Sequence, residues 1–114
     1  MRIGADYYPE HWEKERWKTD AEMMVKANIK VIRIGEFAWS LYEPEEGKYE
    51  FDWMDEALDF FGKYGIKVVM CTPSATPPKW MIDKYPDILQ NDIHGNPKLF
   101  GTRTVSYTHL TLPT

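Results

Sequence analysis

The segment Ile66–Thr72, IKVVMCT, constrains the fold more than any other part of the sequence. It is apolar almost throughout and rich in β-branched residues, a composition typical of a parallel strand that is covered on both faces. Two other short segments, Arg2–Tyr8 and Val31–Phe37, are also predicted to be strands. Because two parallel strands must be joined by a crossover of a dozen or more residues, the segments between these strands are expected to be helical.

Helical periodicity is present in those segments. One helix is predicted over residues 13–27, and a second from an N-cap at Asp52 to a stop at Gly65. A short third helix is predicted over residues 78–84, with Pro78 in its first turn. Both long helices have one apolar stripe with spacings of three and four residues: Trp17, Ala21, Met24 and Val25 in the first, and Met54, Ala57, Leu58 and Phe61 in the second.

The alternation of strands and helices predicts an α/β fold with a parallel sheet built of right-handed βαβ units. Two closures fit this order, an open doubly wound sheet and a (β/α)8 TIM barrel. No Gly-rich phosphate loop follows a strand, which disfavours nucleotide binding. Residues able to do chemistry cluster where the strands end, as they do in barrels: residues 7–12, 36–39 and 72–78. We therefore expect the first three βα units of a TIM barrel, incomplete as given.

Composition limits the partners that the chain can have. Aromatic residues make up 15% of it, and their excess on loops suits carbohydrate, although core packing explains most of them. A net charge of −4 without a basic stripe disfavours nucleic acid. No signal-peptide pattern and no bilayer-length apolar run is present, so we expect no membrane association and a cytoplasmic location. The single cysteine, Cys71, is expected to be a small buried hydrophobe.

Glu36 is the carboxylate that stands at the end of the second predicted strand. It could accept hydrogen bonds from sugar hydroxyls, but a structural pairing with Arg33 or Arg103 explains it equally well. A catalytic role is less favoured, because glycoside hydrolysis needs two carboxylates about 5–5.5 Å or about 6.5–9.5 Å apart. Glu10 and Glu43 are candidates for the second carboxylate only through their positions after strands.

Three further expectations concern single residues. His11 is either a hydrogen-bonding site residue or a packed residue beside aromatic side chains, and packing is favoured. His11, His94 and His109 do not share a metal-ligand spacing, so neither a metal nor a cofactor is expected. Trp39 and Glu43 are expected to fix the geometry of the loop that they share.

Five motifs resemble the N-terminus of glycoside hydrolase family 42 β-galactosidases, and together they cover roughly residues 1–104 in order. The pair YYPEHW and TPSATPPKW is the most specific part of this resemblance. The motifs are YYPEHW (Tyr7–Trp12), RIGEFAWSLYEPEEGKYEFDWMDEAL (Arg33–Leu58), TPSATPPKW (Thr72–Trp80), YPDIL (Tyr85–Leu89) and FGTR (Phe100–Arg103).

The resemblance implies a (β/α)8 catalytic domain that hydrolyses terminal non-reducing β-D-galactosides with retention, in a parent protein that is often a trimer. It implies that Arg103, in a Gly-x-Arg motif, binds the galactose, and that Glu36 supports the pocket. Trp39 and His11 are assigned to the same supporting group. Both catalytic glutamates are expected beyond residue 114, so the chain alone is expected to be inactive.

The resemblance ends near Thr104. We therefore expect residues 1–104 to be the N-terminal part of the catalytic domain and residues 105–114, VSYTHLTLPT, to be a non-native tail without charged residues. The cysteine that the family carries after the arginine is absent here, and Cys71 does not align with it. Two alternatives stay open: a non-catalytic carbohydrate- or partner-binding half-barrel, and a different retaining barrel glycosidase, against which YYPEHW argues.

Overall fold

A computed structural model describes residues 1–99, which fall into two compact units. The first unit comprises Met1–Gly35 and Phe51–Cys71, and the second comprises Glu36–Glu50 and the described residues from Thr72 onward. The strands and helices are β1 (Ile3–Asp6), α1 (Lys14–Lys26), β2 (Ile29–Ile34), α2 (Trp39–Tyr42), α3 (Asp52–Lys63), β3 (Lys67–Met70) and α4 (Lys79–Lys84), with 3-10 turns at Pro9–His11 and Pro86–Ile88.

The first unit is built on a three-stranded parallel sheet in the order β1-β2-β3. The central strand β2 pairs in parallel with both neighbours, with a shift of register between Ile3 and Gly4 of β1, and Arg33 stands between Asp6 and Val69. The backbones of β1 and β2 approach closely at Gly4, where an added Cβ would lie 3.0 Å from the carbonyl oxygen of Val31. This sheet, with its intervening helices, confirms the predicted α/β class.

The core of the first unit lies between the sheet and its two long helices. Ile32 and Ile34 of β2 are 0% and 1% exposed. The Phe61 ring from α3 meets the edge of Tyr7 at 5.1 Å between centroids, and it lies 6.2 Å from Trp17 of α1. The two predicted apolar stripes are confirmed at most positions; the exceptions are Val25, which is exposed, and Leu58, which is half-buried.

The third strand is not covered on both faces, so that prediction is wrong for the described residues. Val69 is 50% exposed and Met70 is 48% exposed. Arg33 lies on the same open face as Val69, and its Nε donates to the Cys71 Sγ at 2.9 Å. Cys71 is therefore a half-buried hydrogen-bond acceptor, not the buried hydrophobe that we expected. The apolar sequence of β3 is typical of a strand with both faces buried, but residues 1–99 do not bury both faces.

Two residues with positive φ set the limits of β2, which differ from the prediction. Asn28, with φ 59°, turns the chain early enough for β2 to begin at Ile29 and not at Val31. Gly35, with φ 86°, ends the strand at Ile34, three residues before the predicted end. Glycine adopts this left-handed conformation at no steric cost, which makes it the natural stop.

The two ends of helix α3 differ in how they are capped. The predicted N-cap at Asp52 is wrong, because the cap position is Phe51, which makes no side-chain cap bond. The predicted stop at Gly65 is confirmed: its φ is 72°, and its N–H donates to the Gly62 carbonyl at 3.0 Å. The next N–H, of Ile66, donates to the Phe61 carbonyl at 3.2 Å, which completes a Schellman motif. Within residues 1–99, no helix has the length and apolar character to cross a membrane.

Replacing Gly65 with alanine is expected to destabilise the first unit by about 1 kcal/mol, because an L-residue is strained at positive φ. Gly62→Ala is the matched control, since neither glycine has an atom within 4 Å of an added Cβ. Gly62 lies in helical conformation, so alanine there should stabilise by about 0.5–1 kcal/mol. Thermal unfolding followed by circular dichroism checks both values. If both substitutions shifted the melting temperature equally and in the same direction, the positive φ of Gly65 would not be the cause of the effect.

Candidate functional site

Three of the four predicted site residues lie in the described part of the chain. Glu36 follows the end of β2 and is half-buried, and Trp39, also half-buried, begins α2. Both belong to the second unit. His11 belongs to the first unit, where it ends a 3-10 turn and is exposed. Arg103 lies outside the described residues.

The loop that carries Trp39 is organised around a buried carboxylate, Glu43, which is 7% exposed. The Trp39 Nε1–H donates to Glu43 Oε2 at 2.9 Å, and the backbone N–H of Gly47 donates to Oε1 at 2.9 Å. Each carboxylate oxygen therefore has a defined donor. The expected role of Trp39 and Glu43 in fixing their loop is confirmed.

These hydrogen bonds hold the pKa of the Glu43 carboxyl below its usual value of 4.5. The bond from Trp39 is the largest cause, followed by that from the Gly47 amide, and the Tyr49 side chain adds a smaller effect. Hydrogen bonds to both oxygens favour the ionised carboxylate and make it a weaker proton acceptor. In the structure these bonds tie the Glu43 side chain to its own loop.

A second tryptophan, Trp80, ties α4 to the same loop. Its Nε1–H donates to the Glu43 backbone carbonyl at 2.8 Å, across 37 residues of sequence. At the end of α4, the Tyr85 hydroxyl donates to Glu46 at 2.8 Å, and Lys84 pairs with the same carboxylate. Trp80 is not predictable from the pattern of a single segment, and its signal in the sequence is its place in TPSATPPKW.

The sequence following β1 is fixed by contacts within the first unit. The Trp17 Nε1–H donates to the Pro9 carbonyl at 3.1 Å, and the Tyr7 hydroxyl donates to Asp20 at 2.7 Å. Burial, followed by the hydrogen bond to Asp20, raises the pKa of the Tyr7 hydroxyl. The His11 ring stacks on Tyr8 with 5.1 Å between centroids, so the structure has His11 packed on an aromatic ring while it stays exposed.

The turn predicted around His94 is present as a closed loop in the second unit. Asp92 organises it: Oδ1 accepts the backbone N–H groups of His94 at 2.8 Å and of Asn96 at 2.9 Å. These bonds lower the pKa of the Asp92 carboxyl, with the Asn96 amide as the largest cause. An isolated antiparallel bridge between Asn91 and Pro97 closes the loop.

The described residues therefore offer positioned aromatic groups and structural carboxylates. No group of three or more His, Cys, Asp or Glu among residues 1–99 is arranged to hold a metal ion. Both carboxylate oxygens of Glu10 are buried and have no hydrogen-bond partner among the described residues. What the second unit can do is present the indole of Trp39 in a fixed orientation.

Comparison with known proteins decides the family. A family profile described as Beta-galactosidase, of glycoside hydrolase family 42, matches residues 6–111. The chain is 54% identical over 101 residues to a β-galactosidase of Thermus thermophilus, covering 89% of this chain and 16% of that protein. It is 50% identical over 103 residues to β-galactosidase BgaH of Haloferax lucentense, covering 90% of this chain and 16% of that protein.

The chain belongs to the glycoside hydrolase family 42 β-galactosidases. Its fold agrees: a crystal structure of the β-galactosidase from the psychrophilic Marinomonas ef1 matches 92% of this chain with a TM-score of 0.85 and 45% identity. The match covers 16% of that chain, so this chain spans about one sixth of the enzymes that it resembles.

The solved structures of Gan42B, a β-galactosidase from G. stearothermophilus, bear on where a catalytic glutamate lies in the sequence of a relative. One solved form of it is described as a catalytic mutant in which a glutamate is replaced by alanine. The residue number of that glutamate is larger than the 114 residues of this chain. The chain matches 88% of its own length to that structure with a TM-score of 0.81 and 35% identity, and covers 15% of it.

Glu43→Gln is expected to lower the free energy of unfolding at pH 7 by about 1–2 kcal/mol, because it weakens two hydrogen bonds to a charged acceptor. The lowered pKa means that the ionised form stabilises the fold above about pH 4.5 and that this stabilisation is lost as the pH falls below that value. The difference between wild type and variant should therefore shrink from pH 5 toward pH 3. Denaturant unfolding at several pH values measures it.

Glu45→Gln is the matched control, since Glu45 is exposed in the same loop and forms an ion pair with Lys48 at 3.2 Å. A surface pair of this kind contributes little, so its loss should change the unfolding free energy by less than about 0.5 kcal/mol at all pH values. A pH-independent cost for Glu43→Gln would show that the carboxylate charge is not what holds the loop.

Proposed function

We propose that this chain supplies part of the sugar-binding end of a retaining β-galactosidase that hydrolyses terminal non-reducing β-D-galactosides. The observation that carries the proposal is the 54% identity over 101 residues to the Thermus thermophilus enzyme. The proposed fold of the whole protein is a (β/α)8 barrel, of which the described residues are the first three βα units. The parallel β1-β2-β3 order supports this assignment.

The reaction we propose is double displacement by two glutamates outside this chain. One attacks the anomeric carbon, while the other protonates the leaving oxygen and then activates water. The position of the catalytic glutamate replaced in Gan42B supports this division. It is also supported by the chemistry of Glu43, whose oxygens are engaged by Trp39 and Gly47.

The part that we assign to this chain is recognition of galactose. Arg103 is proposed to bind the sugar, because a guanidinium offers several fixed donors to hydroxyl groups. Trp39 is proposed to border the pocket: its N–H is donated to Glu43, so its indole offers an apolar ring face and not a donor. Glu36 and His11 are proposed as supporting residues for the recognition of galactose.

The remaining features of the proposal concern the whole enzyme. We propose that the whole enzyme is a homo-oligomer, specifically a trimer. We also propose that it acts in the cytoplasm and that its two-glutamate mechanism needs no cofactor. Its macromolecular partners are other copies of itself and include neither nucleic acid nor membrane. The net charge of −4 supports the exclusion of nucleic acid.

The chain alone is expected not to hydrolyse o-nitrophenyl β-D-galactoside, because both proposed catalytic glutamates are missing from it. A graft in which residues 1–104 replace the matching segment of the Thermus thermophilus enzyme is expected to hydrolyse it. Proton NMR of the first-formed sugar should show the β-anomer, as retention requires. Hydrolysis by the isolated chain, or a folded but inactive graft, would contradict the proposal.

Arg103→Lys in the same graft is expected to reduce kcat/KM by about 100-fold, because an ammonium cannot reproduce the fixed fork of guanidinium donors. Arg2→Lys is the control, since Arg2 is exposed near the start of β1. Steady-state kinetics and inhibition by free galactose measure the effect. An unchanged inhibition constant for galactose would remove Arg103 from the sugar site.

A further inference from the structure

We propose that Trp80 is a positioning residue for galactoside recognition: it acts through Glu43 on the indole of Trp39 and so sets the affinity of the site for its sugar. This inference rests on the proposed function, in which Trp39 borders the sugar pocket. All three residues belong to the second unit. Trp39 and Trp80 are half-buried, and Glu43, which is bonded to both, is 7% exposed.

The first observation is that Trp39 and Glu43 are bonded to each other twice. Besides the bond from the Trp39 indole to the Glu43 carboxylate, the Glu43 N–H donates to the Trp39 carbonyl at 2.8 Å. Trp39 is the first residue of the four-residue helix α2, and Glu43 directly follows its end. A single helical turn is marginal by itself, because fixing its residues costs more than one hydrogen bond returns. The position of the Trp39 indole therefore depends on what holds Glu43.

The second observation is the hydrogen bond that Trp80 makes to the Glu43 main chain. The Glu43 carbonyl lies at the C-cap of α2, where carbonyl groups have no partner within the helix. The Trp80 Nε1–H donates to it at 2.8 Å, in a part-buried position. This bond fixes the main chain from which the Glu43 side chain starts, and with it the carboxylate that orients Trp39.

Trp80 is itself held firmly enough to act as an anchor. Pro77 and Pro78, directly before α4, are buried, and Ile82, two residues after Trp80, is 7% exposed. The φ of Pro78 is −66°, the value to which its ring restricts it. Trp80 therefore stands at the second position of a short helix that is fixed on both sides of it.

A second contact between α4 and the same loop differs in kind and supplies a control. The Tyr85 hydroxyl donates to Glu46 at 2.8 Å, and Lys84 pairs with the same carboxylate, but these contacts are exposed. Exposed polar contacts contribute little to stability. Tyr85→Phe therefore removes one hydrogen bond between the same two segments and leaves the bonds of Glu43 intact.

The effect on sugar binding follows from the fixed orientation of the indole. A group that is held in its binding orientation before the ligand arrives loses less freedom on binding, and so contributes more affinity. Loss of the Trp80 bond should therefore weaken the binding of galactosides. The expected kinetic signature is a higher KM with little change in kcat, which indicates loss of binding that the substrate and the transition state share.

The first test measures hydrogen exchange of the indole N–H groups in the chain itself by ¹H–¹⁵N NMR. Trp39→Phe identifies the Trp39 signal by its loss. Trp80→Phe keeps an aromatic ring but removes the N–H donor, and it should speed exchange of the Trp39 indole at least about threefold. Tyr85→Phe should leave that rate within about 1.5-fold of wild type. An unchanged rate in Trp80→Phe, or equal changes in the two variants, would overturn the proposal.

The second test uses the graft of residues 1–104 in the Thermus thermophilus enzyme. Trp80→Phe should raise KM for o-nitrophenyl β-D-galactoside and the inhibition constant for galactose by about three- to tenfold, with kcat changed less than about twofold. In a graft that already carries Trp39→Phe, the same substitution should have little further effect on KM, because the link that it breaks is already lost. Tyr85→Phe should behave like the unsubstituted graft.

Additive effects of Trp39→Phe and Trp80→Phe on KM, or a fall in kcat alone, would overturn the proposal, because Trp80 would then act on something other than Trp39. Thermal unfolding of each graft separates a loss of affinity from a loss of folded enzyme. An inactive unsubstituted graft would count against the proposed function instead, and the exchange measurement would still decide whether Trp80 positions Trp39.

Discussion

The burial of two isoleucines in the central strand is the interaction on which the first unit depends. Ile32 and Ile34 are almost completely buried, and full burial of such a side chain stabilises by about 1.5–3 kcal/mol. Because β2 is paired on both sides, this burial fixes the positions of all three strands at once. Because the three strands are parallel, their carboxyl ends lie at the same edge of the sheet. The loops that follow the strands therefore all begin at that edge.

The order and type of the elements followed from the sequence, because the spacing of apolar residues is a local property. The ends of β2 did not, because they depend on the backbone angles of Asn28 and Gly35, which hydrophobic spacing does not encode. The strand β3 shows a different limit. Its apolar sequence predicts a strand that is covered on both faces, but β3 is largely exposed among residues 1–99. Burial of a strand depends on elements distant in sequence, so the composition of the strand alone does not determine it.

In the candidate site, too, contacts between residues close in sequence were predictable and contacts between distant residues were not. The link between Trp39 and Glu43 spans four residues and was predictable from the loop itself. The link from Trp80 to the same loop spans 37 residues, and no local pattern announces it. The result is an aromatic residue held by an ionised, buried carboxylate. Glu43 shows that a buried glutamate in a loop can hold the geometry of that loop through both of its oxygens.

The open face of β3 also bears on the timing of synthesis. Ribosomes add about 5–20 residues per second, and this chain corresponds to 16% of the length of its relatives. While a chain of that length is synthesised, Val69, Met70 and the β1 edge would face solvent for on the order of tens of seconds to minutes. Unpaired strands at that stage can pair with neighbouring nascent chains. Exposed strand surface of this kind is therefore most available for mispairing early in synthesis, before later residues can cover it.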